Sequence, residues 1–212
     1  MMINSKTQRQ TAMTRIEWLA VAFVLILLIG LLPRHCHIGR ARAQRLTCLS
    51  YLKQIGLAAR MWRNDNGGNL PWQVPVATNG TLEFADSPEA HRHFLALSNY
   101  LLNPKVFACP SDTKKSRVED LAEFNGAHLS YFIRLDLHEG QPQSILSGDR
   151  NLTTNGQPAV GLVTVAPNTL LGFTREMHRS AGNIALSDGS AQMVTEAQLR
   201  SGTKETFRLV IP

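Results

Sequence analysis

Ala12-Met13-Thr14-Arg15-Ile16-Glu17 opens an apolar run, Trp18 to Leu32, whose reading decides the rest of this chain. From Ile16 to Leu32 the only charge is Glu17. As a helix rising ~1.5 Å per residue the run covers about 26 Å, near the lower limit for a bilayer span. The expectation is therefore a transmembrane helix over residues 13–33. A carboxylate at the edge of such a helix is unfavourable. A plain anchor has no use for Glu17, which points to a specific helix partner.

Met13-Thr14-Arg15-Ile16-Glu17 and the apolar run behind it resemble the start of a type IV prepilin or type II secretion pseudopilin. Ala12 stands where that family has Gly, and Arg15 where an apolar residue is usual. The resemblance implies cleavage by a prepilin peptidase between Ala12 and Met13, with methylation of Met13. It makes Glu17 an assembly residue, paired with the N-terminal ammonium of a neighbouring pilin-like subunit. Residues 1–12 are then a leader. A secretory signal peptide cut at Ala41-Arg42-Ala43 and a simple single-span anchor are the competing readings. The flanking charges, Arg34, Arg40, Arg42 and Arg45 against Lys6, Arg9 and Arg15, do not orient the span outward. A domain on the outer side of a bacterial inner membrane, in the periplasm or beyond, rests on the resemblance and on the cysteines.

The 212 residues suffice for one span and one modest domain. The net charge of +6 is unevenly spread. Residues 34–63 carry seven basic side chains and no acid, whereas residues 64–212 carry twelve basic and fifteen acidic ones. A mildly acidic folded part argues against a nucleic-acid-binding domain. A basic stem suits a membrane surface or acidic neighbours.

After Pro33, which is expected to bend the helix, Leu46, Leu49, Leu52, Ile55, Ala59 and Trp62 recur at steps of three or four. They predict an amphipathic stem helix over 34–66, ended by Asn64-Asp65-Asn66-Gly67-Gly68. Cys48 to Ala58 also resembles the second half of the long helix in a large bacterial group of pseudopilin-like proteins. Residues 67–212 predict an α+β globular domain. Ser87-Pro88 reads as the start of a short helix to Leu97. Strands are expected over Leu129–Leu135, Gln143–Ser147, Gly161–Val165 and Glu205–Ile211. A hairpin of Asn183–Leu186 with Ala191–Val194 is expected to turn at Asp188-Gly189 in type I′ geometry. The fold expected from the resemblance is pilin-like: a long N-terminal helix on a small antiparallel sheet domain.

Three cysteines are present, Cys36, Cys48 and Cys109. Outside the cytoplasm a Cys48–Cys109 disulfide is permitted and would staple the stem to the sheet domain. Two buried thiols are the alternative. His35-Cys36-His37 diverge on a helix and read as a solvated patch rather than a metal site. Asp112, Asp149 and Asp188 sit in turn-like sequence and are the weighed calcium ligands, without EF-hand spacing. His178 and Asp188-Gly189, nine residues between them, resemble the C-terminal H-X9-DG signature (178–189) of the same pseudopilin-like group. The bland readings are turn geometry for Asp188-Gly189 and a side chain packed on that hairpin for His178. No catalytic motif survives inspection: no G-x-S-x-G, P-loop, H-E-x-x-H or dinucleotide fingerprint. The expectation is a non-enzymatic, inner-membrane-anchored subunit of a type II secretion or type IV pilus-like filament. The alternative is an anchored binding module that does not polymerise.

Overall fold

The computed structural model describes residues 14–138, 140–201 and 205–212, and side chains among them except those of 31–38, 200 and 201. The expected leader and cleavage residues, Ala12 and Met13, lie outside the described residues. The chain divides into two compact units, Met1–Arg40 and Ala41–Pro212. The class is α+β, helices with antiparallel sheets.

Helix α1, Arg15–Asp65, contributes to both units, and its assignment runs through Pro33 without a break. Among the described residues, no helix is long and apolar enough to cross a membrane. The run opens on Arg15 and Glu17, charges that a bilayer span disfavours. This overturns the expected transmembrane helix over 13–33. It also overturns the expected single-pass anchoring in the inner membrane, on which the localisation in the periplasm or outside the cell rested.

In the second unit α1 buries Cys48, Leu52, Ile55, Ala58, Ala59 and Trp62. Leu52, Ile55, Ala59 and Trp62 are the predicted stripe, but Cys48 is buried where Leu49 was expected, Leu49 is half-buried, and Leu46 is 51% exposed. Burying side chains such as Leu52 and Ile55 stabilises by roughly 2 kcal/mol each. Helix α2, Ala90–Ala96, starts three residues after Ser87. Its N-cap, Glu89, makes no side-chain cap bond, and Ser87 Oγ accepts from Glu89 N–H instead.

The strands are β1 (Tyr131–Arg134), β2 (Ile145–Asp149), β3 (Leu152–Thr154), β4 (Gln157–Pro158), β5 (Gly161–Val165), β6 (Leu171–Phe173), β7 (Gly182–Leu186), β8 (Ala191–Val194) and β9 (Phe207–Ile211). A short helix α3, Glu196–Ser201, precedes β9. The main sheet runs β5-β9-β1-β2-β7-β8, and a small one runs β4-β3-β6. All their pairings are antiparallel.

Alternation along the strands gives the main sheet two buried faces. Tyr131, Ile133, Ala185 and Val210 join the core built on α1, with Phe94 and Phe107. Phe132, Ile184, Leu186, Leu209 and Ile211 join a second core with Leu171 and Phe173 of the small sheet and Leu199 of α3. Elements β3, β4, β6 and α3 were not expected. They are short, and the apolar residues of β3, β6 and α3 only make sense as a cover for that second face.

The expected type I′ turn at Asp188-Gly189 is not what forms. The β7–β8 loop is a three-residue turn with Gly189 N–H donating to Leu186 O at 2.9 Å and Leu186 N–H donating to Ser190 O at 2.8 Å. Only Gly189 is left-handed there, at φ 82°, which is the bulged three-residue hairpin rather than type I′. Two-residue type I′ geometry occurs instead at Asn155-Gly156, φ 51° and 80°, joining β3 to β4.

Candidate functional site

Strand β2 ends on Asp149, strand β7 carries Asn183, and the turn before β7 carries His178. The pleat and the antiparallel pairing of β2 with β7 bring them together. Asp149 is fully buried. Its Oδ2 accepts from the Asn183 backbone N–H at 2.7 Å and from Asn183 Nδ2 at 3.0 Å. His178 Nε2 lies 3.3 Å from the same oxygen and 3.4 Å from Cys109 Sγ. Cys109 is disulfide-bonded to Cys48 on α1, with the Cα atoms 5.1 Å apart. The bond staples the helix to the sheet unit.

The backbone at His178 is held against its preference. His178, Arg179 and Ser180 have φ of 49°, 57° and 63°. Left-handed non-glycine residues cost roughly 1 kcal/mol each, so the surroundings must over-determine them. Asn151 supplies the clamp. Its Nδ2 donates toward the carbonyls of Thr174 at 3.0 Å, Met177 at 3.3 Å and Ala181 at 3.4 Å. Met177 anchors the turn in the core.

Burial sets the electrostatics. It pushes Asp149 up to about 7, against the Asn183 bonds and the charge of Arg45, which favour the carboxylate. Burial, then the charge of Arg45, holds His178 down to about 4. Near neutrality the imidazole is uncharged, and burial leaves the carboxyl group easier to protonate than an ordinary aspartate. Beside this pair, Asp112 takes a two-pronged ion pair from Arg150, at 2.7 Å and 2.8 Å. Burial opposes the charge on Asp112, but the Arg150 bonds hold it below the usual carboxylate range. Glu176 joins through Arg150 and Lys114.

The sequence motif therefore separates in space. His178 faces Asp149 and the disulfide, not Asp188. Asp188 is half-buried, and its Oδ1 accepts from Ser190 N–H at 2.8 Å and Ser190 Oγ at 2.6 Å. Its carbonyl accepts from Arg60 of α1 at 2.7 Å, and Gly189 lies against Gly56. The calcium trio does not assemble either. Asp112, Asp149 and Asp188 each hold separate partners. Among the described residues, the group with metal-ligating atoms in reach of one another is Cys48, Cys109 and His178, all within 4.8 Å. The side chain of Cys36 lies outside the described residues, as do those of His35 and His37.

At the start of α1, Thr14 N–H donates to Glu17 Oε2 at 2.7 Å and Glu17 N–H donates toward Thr14 Oγ1 at 3.4 Å. That is a capping box, a local reason for Glu17 that the Thr-x-x-Glu spacing already spells. A helix partner is not the sole reason for the residue. In the sequence Asp149 reads only as a possible calcium ligand, and Asn151, Asn183 and Arg45 carry no signal in one dimension, since their partners lie on other elements.

A cavity of about 410 Å³ lies elsewhere, lined by Arg134, Gln143, Ile145, Leu186, Gln198 and Phe207. No protein family, curated protein or solved structure matches the chain.

Proposed function

We propose that the chain is a non-enzymatic pseudopilin-like subunit. Its N-terminus is cut by a prepilin peptidase between Ala12 and Met13, and its helix α1 packs with the helices of other pilin-like subunits in a type II secretion or type IV pilus-like filament. The observation that carries this is the first half of α1. Trp18, Leu19, Val21, Val24 and Leu27 are all exposed, and at 100° per residue they cover every side of the helix. A helix apolar all round has to be buried. The proposal assigns it to subunit packing, not to crossing a bilayer. The pilin-like reading of the fold draws further support from the second half of α1, which packs on an antiparallel sheet through Cys48 to Trp62.

The experiment uses two variants at one position. Glu17→Gln keeps the reach to the Thr14 N–H, because Gln also completes a capping box. It removes only the charge. Glu17→Ala removes both. If the carboxylate pairs with a neighbour's N-terminal ammonium, both variants lose cross-linkable filaments. Assembly retained in Glu17→Gln and lost in Glu17→Ala would reduce the residue to a helix cap. Mass spectrometry of the mature chain should find N-methyl-Met13; an intact Met1 or a Gln44 start would overturn the reading.

A further inference from the structure

We propose that the cavity beside α3 binds an amphipathic carboxylate, an acid group joined to a small apolar body, whose carboxylate pairs with Arg134 in place of Glu205. The cavity lies on the second face of the main sheet, away from the core built on α1, so the inference stands apart from the assembly reading.

The cavity's volume, about 410 Å³, falls in the range of small-ligand sites, about 300–1,000 Å³. Strand pairing builds its apolar floor. Ile145 of β2 pairs with Leu186 of β7, and Ile184 stands two residues back on the same face. Phe207 of β9 lines it as well, and Ile184, Leu186 and Phe207 are themselves buried. Gln192 of β8 is exposed and brings an amide to the lining.

Arg134 of β1 sets the charge of the ligand. Its side chain is 7% exposed, with Cζ 4.4 Å over the Phe207 ring. Among the described residues its ion pair is with Glu205, whose Oε2 is 3.5 Å from Nη2. Arg134 Nε is buried with no hydrogen-bond partner. Burial opposes the charge on this guanidinium, and Glu205 and Asp136 favour it. A buried charge with donor capacity left over is costly until a matching group arrives.

Nε and Nη2 form one edge of the guanidinium fork, the edge that takes a carboxylate in two prongs. Arg150 holds Asp112 in that way. Glu205 reaches one prong only, and its side chain is 63% exposed. Such a long, solvent-screened contact contributes little. It marks where an acid group lies, and it yields to one that also covers the apolar floor.

Among the described lining residues Arg134 is the cation, so a single negative charge balances it. A doubly charged phosphate would leave an excess beside Glu205. An acid without an apolar body would leave the floor to water. The same chemistry comes from a free acid such as phenylpropionate and from the C-terminus of a peptide ending in leucine.

The test is calorimetric titration of the full chain with phenylpropionate and with an N-acetylated tripeptide ending in a free C-terminal leucine. Each probe is paired with its carboxamide. Saturable one-to-one binding of the carboxylate is expected, weakened at least about tenfold in the carboxamide. A tighter tripeptide assigns the site to chain termini, and a tighter phenylpropionate to free acids. Glu205→Gln should tighten binding about two- to fivefold, because it removes the competing charge at an exposed side chain. Arg134→Gln should weaken it at least about tenfold. If that buried substitution prevents folding, the carboxamide pairs and Glu205→Gln still decide. No saturable binding of either carboxylate, equal binding of acid and amide, or unchanged or weaker binding in Glu205→Gln would overturn the proposal.

Discussion

Gly56 on α1 and Gly189 in the β7–β8 turn meet backbone to backbone: a Cβ on Gly56 would stand 3.2 Å from the Gly189 Cα. The turn can lie this close to the helix only because neither residue has a side chain. A Cβ on Gly189 would meet Arg60 Cδ at 2.8 Å and Leu57 Cδ2 at 3.3 Å, at a φ of 82° that suits glycine. Gly189→Ala should therefore cost about 2 kcal/mol, from left-handed strain and the crowding of Leu57. Gly56→Ala should cost less, because helix propensity returns about 1 kcal/mol. Denaturant titrations of the full chain measure both; a larger loss in Gly56→Ala would contradict this packing.

Asp188 tests geometry against chemistry in the same turn. Asp188→Asn retains an oxygen for Ser190 N–H and Oγ, so stability should change by less than about 0.5 kcal/mol. Asp188→Ala loses both bonds and should cost roughly 1 kcal/mol. If Asp188→Asn abolishes assembly at an unchanged melting temperature, the carboxylate has a partner beyond Ser190.

The disulfide closes a loop with a sequence separation of 61. The chain-entropy estimate for that length is about 4 kcal/mol. Cys48→Ala with Cys109→Ala should lower stability by a comparable amount, read from the denaturant midpoint. Non-reducing peptide mapping should link the Cys48 and Cys109 peptides. Free alkylation of both Cys48 and Cys109 in the isolated protein would contradict the staple.

His93 gives a pH dependence of known sign. It is fully buried on α2, with Nδ1 2.8 Å from Thr81 Oγ1 and its ring edge-on to Trp72. Burial lowers it to about 4, from an ordinary value of 6.5. Between those values the unfolded chain binds a proton that the folded chain refuses. Stability is thus fully present above pH 6.5 and falls as the pH drops toward 4, by up to about 3 kcal/mol. His93→Gln should remove that slope, so the difference between the two stability curves should shrink as the pH falls through this window. Parallel curves from pH 7 to pH 4 would show that His93 is not buried neutral.

Periodicity along the chain was enough for the helix through Trp62, the end of α1 near Asp65, the β7–β8 hairpin, β5, β9 and the α+β class. These depend on contacts between near neighbours: apolar steps of three and four, alternation, and a glycine where φ must be positive. The same local rule would have found the β3–β4 turn from Asn155-Gly156 and the capping box from Thr14 and Glu17. What only the tertiary structure decided is which side chains meet across elements. The apolar run from Ile16 invites a bilayer span on composition, yet no described helix has the length and apolarity for one. His178 reads as the partner of Asp188 by spacing. A left-handed turn, clamped by Asn151, aims it instead at Asp149 and the Cys48–Cys109 bond. Such pairings join residues 29 to 69 positions apart. Loop closure over that distance is set by the packing of β2, β7 and α1 on one another, which no local pattern encodes.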